Sequence, residues 1–217
     1  MEDVKSTGPR HYRSAVREEG ARRTRSAIIE AAGKLFQQRG YRGTALSAVA
    51  AAAGVARPTV TATFGSKPAL LREVVDEALA GDDDPVPVAD RPWFRPVWEA
   101  QTHHDLLAAY AQVCTLIDAR AARIIEVVRR AADESPQVAD LWELTQRNRR
   151  AGAGIVVRQL RSLGPVHGWP GDKRAVDVVW LFNDPAHYDT LVIQCGWPEP
   201  DFTDWLAARM QEALING

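Results

Sequence analysis

Residues 57–63, with the sequence RPTVTAT, carry one guanidinium and three hydroxyl groups and no acidic side chain. A guanidinium can donate two parallel hydrogen bonds to guanine, and the methyl group of threonine can pack against that of thymine. Small side chains also let a helix lie deep in a major groove, where negative charge is repelled by phosphate. These residue types therefore indicate contacts with duplex DNA, for which the candidates are Arg57, Pro58, Thr59, Thr61 and Thr63.

Two short helices are needed to position these side chains. The segment TALSAVAAAAGVARPTVTATF, residues 44–64, contains two helix-like runs that meet near Gly54. Gly54 can adopt a positive φ without steric cost, so it can end the first helix and let the second leave at a steep angle. Val55, Val60 and Phe64 lie at helical spacing and are expected to pack inward, which leaves the candidate contacts facing outward.

The charges of the chain are unevenly distributed. Residues 1–67 hold twelve Lys and Arg against five Asp and Glu, whereas residues 68–217 hold fifteen against twenty-three. The net charge of −1 for the whole chain therefore conceals a basic N-terminal part and an acidic remainder. Because attraction to phosphate depends on the local surface rather than on the sum, the basic part favours a nucleic-acid partner.

Residues 21–80 resemble the DNA-binding domain of the TetR family of one-component transcriptional repressors. The resemblance rests on a first helix ARRTRSAIIEAAGKLFQQRGY, on the two-helix segment, and on FGSKPALL, which opens a fourth helix. It implies an all-α fold with an N-terminal three-helix helix-turn-helix domain and a C-terminal helical ligand-binding and dimerisation domain. It also implies a homodimer that binds a palindromic operator in double-stranded DNA and releases it when a small molecule binds the C-terminal domain.

The same resemblance implies two phosphate contacts, and it assigns base reading to the segment that begins at Arg57. Thr44, at the start of the second helix, resembles the family's hydroxyl donor to phosphate, and Lys67, at the start of the fourth, resembles its phosphate-binding lysine. Local chemistry agrees with both roles, because threonine is a good N-cap and a helix N-terminus attracts anions. Ser66 is expected to cap the fourth helix. The alternatives are a purely capping role for Thr44 and a solvated lysine at position 67.

Three positions depart from the family pattern. Thr61 and Thr63 stand where relatives usually have a tyrosine and a histidine or second aromatic residue that reach phosphates, and Ala45 replaces the second threonine of a usual pair. Threonine can still donate a hydrogen bond, but only on closer approach. Operator affinity is therefore expected to be weaker than the family resemblance implies.

Composition divides the chain into four segments. Residues 1–20 are poor in apolar side chains and are predicted to form a flexible basic arm. Residues 21–80 are the predicted DNA-binding domain, and residues 81–98, rich in Asp, Pro and Gly, are predicted to be a linker whose two adjacent aromatic residues lean on the next domain. Apolar residues then recur every three to four positions, so residues 99–217 are predicted to form a helical effector-binding and dimerisation domain.

Polar residues interrupt the apolar stripe of one long predicted helix, which opens at Ser135-Pro136 and closes at Gly164-Pro165. One interpretation is a mainly apolar effector pocket with a few hydrogen-bonding groups, and the other is a partly solvated helix whose stripe drifts. The seven Trp residues all follow residue 92 and favour an aromatic lining slightly. The candidate pocket residues are Tyr110, Cys114, Trp142, Thr145, Asn148 and Gly152.

The C-terminal stretch supplies candidates for self-association. The family resemblance implies that C-terminal helices pair across a two-fold axis, and one reading helix alone cannot supply genomic specificity. Packing within the monomer is the competing use of these residues. The candidate interface residues are Val179, Trp180, Phe202, Trp205, Leu206 and Met210. Asp184 and Asp201 are expected to cap the helices in this stretch.

Several classes of protein lack support in the sequence. It contains no glycine-rich phosphate loop, nucleophile elbow or paired carboxylates, so we expect neither an enzyme nor a bound cofactor. Adjacent histidines at positions 103 and 104 point about 100° apart on a helix, and the two cysteines lack ligand spacing, so no metal site is expected. No stretch approaches the roughly 20 apolar residues that a membrane span needs, so we expect a cytoplasmic protein.

Together these features predict a sequence-specific transcriptional repressor that a small, partly apolar effector releases from its operator. Two alternatives remain at this stage. The chain could be a helical small-molecule-binding protein that ignores DNA, or a dimeric interaction protein that has lost specific operator recognition. The replaced aromatic residue at position 61 keeps the second alternative open.

Overall fold

Helices form both of the units into which the chain packs, Met1–Val74 and Val75–Gly217. The structure, a computed structural model, describes residues 9–166 and 171–215, with side chains described from residue 18 onward except that of residue 172. The unit boundary falls inside the helix Lys67–Ala80. The expected boundary at residue 80 and the observed one differ because the first turns of this helix pack on the first unit, through Leu70 and Leu71, which are fully buried.

The first unit comprises helices α1 (Pro9–Gly43), α2 (Leu46–Ala52), α3 (Arg57–Phe64) and the first half of α4 (Lys67–Ala80). Gly40 interrupts α1 with a φ of 69°, which only glycine adopts readily. Apolar residues at helical spacing in all four helices meet in one core. Its fully buried members include Ile28, Phe36, Val49, Val60 and Leu70.

The predicted flexible arm is helical where the structure describes it. Helix α1 begins at Pro9, so residues 9–20 belong to the same helix as the predicted first helix; residues 1–8 lie outside the described part of the chain. The prediction of a flexible segment up to residue 20 is therefore wrong for its second part. Proline suits the first position of a helix, and the Arg, Ala and Glu residues that follow are good helix formers.

The predicted linker also contains regular structure. Short 3-10 turns at Val88–Asp90 and Pro92–Phe94 lead directly into helix α5 (Arg95–Glu99). The Arg91 side chain is only 5% exposed and organises the preceding loop, because its guanidinium donates to the Val86 and Asp84 carbonyls and to both oxygens of the Asp82 carboxylate. Phe94 is buried in the core of the second unit and Trp93 packs partly against it, so the predicted aromatic contact is confirmed.

The second unit is built around helix α6 (His103–Ala131), which packs against α5, α7 (Pro136–Ser162), α9 (Pro185–Tyr188) and α10 (Glu199–Leu214). Helix α8 (Asp172–Phe182) packs on α7, and a π-helical turn, Asp189–Gln194, follows α9. Of the described helices, none is both long and apolar enough to span a bilayer.

Two of the predicted helix caps in this unit can be checked. Asp184 caps α9, because its carboxylate accepts a hydrogen bond from the Ala186 N–H at 3.0 Å. Asp201 is not an N-cap, since α10 begins two residues before it and Pro198 occupies the cap position. An acidic residue in the first turn still interacts favourably with the helix dipole.

Candidate nucleic-acid interface and buried polar cluster

The turn between α2 and α3 has the predicted geometry. Gly54 adopts a φ of 68°, and the Val55 N–H donates to the Ala50 carbonyl at 3.0 Å, which closes the turn. Val60 is fully buried and Phe64 is 8% exposed, so the predicted inner face of α3 is confirmed. This packing fixes which face of α3 points toward solvent.

The outer face of α3 presents the residues predicted to contact DNA. Arg57, Pro58, Thr61 and Thr63 are exposed, and Thr59 is half-buried. The Arg57 guanidinium stands in the first turn of a helix that contains no acidic residue. The face is therefore short, uncharged except for one guanidinium, and sterically open, as contact with base edges requires.

Two hydroxyl groups on this face bond back to their own helix. The Thr63 hydroxyl donates to the Thr59 carbonyl at 2.8 Å, and the Thr61 hydroxyl points at the Arg57 carbonyl at 3.5 Å. Phosphate oxygens only accept hydrogen bonds, so each hydroxyl must turn away from its carbonyl before it can donate to DNA. This competition gives a physical reason to expect weaker phosphate contacts from these positions than from longer side chains.

Thr44 does not have the predicted role. Its side chain is 1% exposed, and its hydroxyl points at the Leu35 and Gly40 carbonyls at 3.0 and 2.9 Å. The N-cap of α2 is Ala45, which has no side chain able to cap, so the prediction that Thr44 caps this helix is wrong. Because the only hydroxyl proton is used inside the fold, the side chain is not placed to donate to a phosphate. Thr44 instead fixes the turn after the interruption at Gly40.

The start of α4 agrees with the sequence analysis. The Ser66 hydroxyl accepts a hydrogen bond from the Ala69 N–H at 3.3 Å, which confirms the predicted cap. The Lys67 ammonium lies 4.1 Å from the centroid of the Tyr41 ring, a cation–π contact that holds it beside the helix N-terminus. A positive charge and N–H groups of the first turn therefore lie close together, as an anion site requires.

A concave surface between α1 and α3 was not predicted from the sequence. It has a volume of about 470 Å³. Arg25 borders it and makes an ion pair with Glu73, while its guanidinium carbon lies 5.1 Å from the centroid of Phe64. One basic side chain thus connects α1, α3 and α4, a link that only the fold reveals. The surface is lined by Gly20, Ala21, Arg22, Thr24, Arg25, Thr59 and Thr63.

The six predicted pocket residues do not form a single lining. Tyr110, Cys114 and Thr145 are buried, whereas Trp142 and Gly152 are half-buried and Asn148 is exposed. The Thr145 hydroxyl is satisfied by the Leu141 carbonyl of its own helix at 2.8 Å. For Asn148 the alternative interpretation, a stripe that drifts into solvent, is therefore correct. Trp169, one of the seven Trp residues counted above, lies outside the described residues.

Buried polar groups instead meet around Arg149, between α6, α7 and the end of α8. The Asn183 amide donates to the Tyr110 hydroxyl at 3.0 Å. The Arg149 guanidinium donates to the Asn183 side-chain oxygen at 3.1 Å and the Trp180 carbonyl at 2.9 Å, and it is paired with Asp184 at 3.1 Å. Arg149 is one of the polar residues that interrupt the apolar stripe of α7, but the sequence alone did not place it in this network.

Two acids on α6 point into the same region. Asp118 is 3% exposed and Cys114 is 5% exposed. Burial raises the pKa of the Asp118 carboxyl well above its ordinary value, and the positive charge of Arg149 offsets only part of this effect. Burial, followed by the charge of Asp118, raises the pKa of the Cys114 thiol. The thiol is therefore protonated at neutral pH, and no described group of His, Cys, Asp and Glu is arranged to hold a metal ion.

Most of the predicted dimer contacts belong to the monomer's own core. Four of the six predicted residues are fully buried, and Trp180 and Trp205 are half-buried. A side chain already buried in its own subunit cannot contact a partner without refolding, so these four assignments are wrong. The fully buried residues are Val179, Phe202, Leu206 and Met210.

Other apolar residues near the end of the chain are exposed. Leu181 is 57% exposed and Trp197 is 36% exposed. The Trp197 ring contacts the Trp205 ring edge-on, with centroids 6.3 Å apart, and Trp205 in turn contacts His187 at 6.0 Å. Periodicity alone could not distinguish this exposed set from the core, because both lie on apolar stripes of the same helices.

Comparison with known proteins shows which family this geometry resembles. Residues 28–74 match the family model described as bacterial regulatory proteins of the tetR family. No curated protein sequence matches the chain. Among solved structures, a transcriptional regulator from Saccharomonospora viridis in complex with choline is similar with a TM-score of 0.66 and 17% identity, covering 88% of this chain and 97% of that one.

Two further solved structures have the same fold. A TetR-family regulator from a Rhodococcus species gives a TM-score of 0.62 at 16% identity, covering 87% of this chain and 97% of that one. A TetR-family regulator from Mesorhizobium loti gives 0.60 at 18% identity, covering 88% and 95%. The helix-turn-helix geometry and these likenesses lead to one conclusion: residues 28–74 resemble the bacterial regulatory proteins of the tetR family in sequence and in local geometry, and the chain shares the fold of these solved regulators.

Proposed function

We propose that the protein is a repressor that binds a palindromic operator as a homodimer and leaves it when a small-molecule effector binds the second unit. The observation that carries the proposal is the exposed outer face of α3, where Arg57, Pro58 and Thr59 stand on a helix whose opposite face is buried. In this proposal Arg57 reads a guanine, Thr59 packs against a thymine, and Lys67 binds a phosphate.

Dimerisation would use the exposed apolar residues of the second unit. Leu181, Trp197 and the half-buried Trp205 form the surface we assign to it in place of the buried candidates. Exposed Trp and Leu side chains are unfavourable in water and are typical of the centres of subunit interfaces. Two copies would present two α3 helices to the two halves of a symmetric site.

Release would follow from a shift in population. An effector that binds one arrangement of the dimer more tightly than another lowers operator affinity by its differential binding energy, typically about 1–3 kcal/mol. The complex of the Saccharomonospora viridis regulator with choline supports the idea that this fold accommodates small molecules. The proposal also places the protein in the cytoplasm, where bacterial DNA lies.

Selection of bound fragments from a random duplex pool tests the DNA-binding part. We expect a palindromic motif to be enriched, and we expect the affinity for it to exceed that for shuffled DNA at every salt concentration. Adding compounds that raise the melting temperature of the protein should then reduce binding to the selected site. Enrichment of no motif would contradict operator recognition, and tighter binding in the presence of every such compound would contradict the repressor mechanism.

A second candidate is supported by the hydroxyl geometry of α3 and by Thr44. With the Thr44 hydroxyl buried and the Thr61 and Thr63 hydroxyls directed at their own helix, the chain could retain the dimer but bind DNA only through charge. Such a protein would show steeply salt-dependent binding with no preferred sequence. The same selection experiment separates the two candidates. A small-molecule-binding protein unrelated to DNA would retain no fragment at low salt.

A further inference from the structure

The buried carboxyl of Asp118 has no hydrogen-bond partner among the described residues, although it is only 3% exposed. Buried carboxylates in proteins are normally paired or hydrogen-bonded, because removal from water penalises the charged form. Thr115 is also buried on α6, and its hydroxyl is satisfied by the Ala111 carbonyl and by Thr203. Asp118 therefore differs from Thr115, its buried polar neighbour on the same helix.

Arg149 is the cation whose charge acts on Asp118, but its hydrogen bonds go to other groups. Its two terminal nitrogens contact the Gln146 side-chain oxygen at 2.7 Å, Asp184 at 3.1 Å, the Trp180 carbonyl at 2.9 Å and Asn183 at 3.1 Å. Asp184 already balances the guanidinium charge. The carboxyl of Asp118 consequently has no cation in direct contact that would stabilise its ionised form.

The other ionisable groups around Asp118 do not supply that charge. Tyr110 and Cys114 precede it by two turns and one turn on α6, and both have a raised pKa, chiefly because they are buried. Tyr188 on α9 also has a raised pKa, from burial and from its hydrogen bond to Glu199 of α10; Asp118 raises it further and Arg123 slightly lowers it. The charges that act on the pKa of Asp118 are thus those of Arg149 and Asp184, which are already paired with each other, and Arg123 on α6 is exposed.

An aromatic cluster includes Tyr110, which lies on the same face of α6 as Asp118. The Tyr110 ring lies 6.3 Å from that of Phe94, which stacks on Trp98 at 4.8 Å. The faces of such rings carry partial negative charge and attract cations. A buried carboxyl without a hydrogen-bond partner, on the same helix face as a ring that belongs to an aromatic cluster, suits a positively charged organic molecule and disfavours an anion.

We infer that the effector is an organic cation, an ammonium compound with an apolar or aromatic body, whose charge is neutralised by the buried carboxylate of Asp118. This inference rests on the proposed function in naming the ligand an effector, but binding itself can be tested without DNA. The ammonium group supplies the counterion that no side chain in contact with Asp118 provides. The body of the ligand displaces the contacts that Tyr110 and Asn183 now make.

The experiment compares three probes of similar shape by isothermal titration calorimetry on the full-length protein. Phenyltrimethylammonium carries a permanent positive charge, tert-butylbenzene is its neutral isostere, and benzoate is an aromatic anion. We expect the cation to bind at least tenfold more tightly than the neutral isostere and benzoate not to bind. Equal affinity for the cation and the neutral isostere, or a preference for benzoate, would overturn the inference.

Asp118→Asn tests the residue, since the amide has nearly the same shape and no charge. We expect this variant to lose at least tenfold in affinity for the cation and nothing for tert-butylbenzene. Asp177→Asn is the matched control: Asp177 is about half exposed and paired with Arg150, and its replacement should leave cation affinity unchanged. Unchanged binding in Asp118→Asn, or the same loss in both variants, contradicts the assignment.

A pH series on the unmodified protein gives a result even if Asp118→Asn fails to fold. Phenyltrimethylammonium does not titrate, so any change in its affinity reports a protein group. Affinity should fall as the pH is lowered through the titration of Asp118, whereas an affinity that stays constant or rises on acidification counts against the carboxylate. If the cation binds as described but does not release DNA, the inference about the site stands and the proposed release mechanism fails.

Discussion

The two units of this protein place their polar side chains in opposite ways. In the first unit the candidate DNA contacts are exposed on an eight-residue helix, and they are oriented by a glycine turn and by apolar residues a few positions away. In the second unit the polar cluster around Arg149 is buried. Its members are far apart in sequence, as the hydrogen bond between Asn183 and Tyr110 shows. A contact surface can thus be arranged by local structure, whereas a buried site depends on how whole helices pack.

The largest effect that would test this contrast is expected from the core of the second unit. Phe202→Ala should lower the free energy of unfolding by about 3–5 kcal/mol, because Phe202 is fully buried and its removal leaves a cavity. Leu181→Ser should leave the unfolding of the monomer almost unchanged and weaken the dimer. Chemical denaturation and analytical ultracentrifugation distinguish these outcomes. If Phe202→Ala dissociates the dimer while the monomer remains stable, Phe202 is an interface residue after all.

Asp118 gives the next largest expected effect, and its sign is fixed by the direction in which burial moves its pKa. The pKa in the folded protein lies well above the ordinary value of 3.8, so the carboxyl contributes most to stability below that pH and loses this contribution as the pH rises through its folded-state pKa. Asp118→Asn should flatten this part of the curve of unfolding free energy against pH and stabilise the ligand-free protein at pH 7. A curve with the same slope in both proteins would show that Asp118 is solvated.

Arg57 and Lys67 test the exposed surface of the first unit. Arg57→Ala should cost about 1–3 kcal/mol at one base pair of each half-site and relax discrimination there. Lys67→Ala should weaken binding to all sequences alike and reduce the salt dependence, since it removes a phosphate contact. Binding assays on a set of operator variants measure both. If the two substitutions change the affinities for the operator variants in the same pattern, the division into base and phosphate contacts is incorrect.

The smallest effect is expected from Thr44, the buried polar residue of the first unit. Thr44→Val should destabilise the protein by about 1–2 kcal/mol, because the Leu35 and Gly40 carbonyls lose their hydrogen-bond donor. Thr44→Ser retains the hydroxyl and serves as the control. Thermal unfolding followed by circular dichroism measures the change. A loss of operator affinity with no change in melting temperature would support the predicted phosphate contact of Thr44 and contradict the buried structural role.

The sequence was sufficient to predict the orientation of α3, because each residue that determines it lies close by in the sequence. Gly54 ends α2, Val60 and Phe64 define the inner face of α3, and the exposed residues follow from helical periodicity. The same periodicity failed for the dimer contacts, because an apolar stripe records that a residue is buried but not whether its neighbour belongs to the same chain. It failed for Thr44 because the acceptors of its hydroxyl lie four and nine residues earlier, across the interruption at Gly40.

By itself, then, the sequence determined the helical class, the family resemblance of the first unit and the side chains exposed on α3, since all three depend on patterns within a few turns of helix. Only the tertiary structure decided which apolar residues belong to the core, which polar residues are buried without partners, and where Asp118 lies relative to Arg149. Those outcomes depend on the packing of helices distant in sequence, where burial raises the energetic consequence of every charge that is left unpaired.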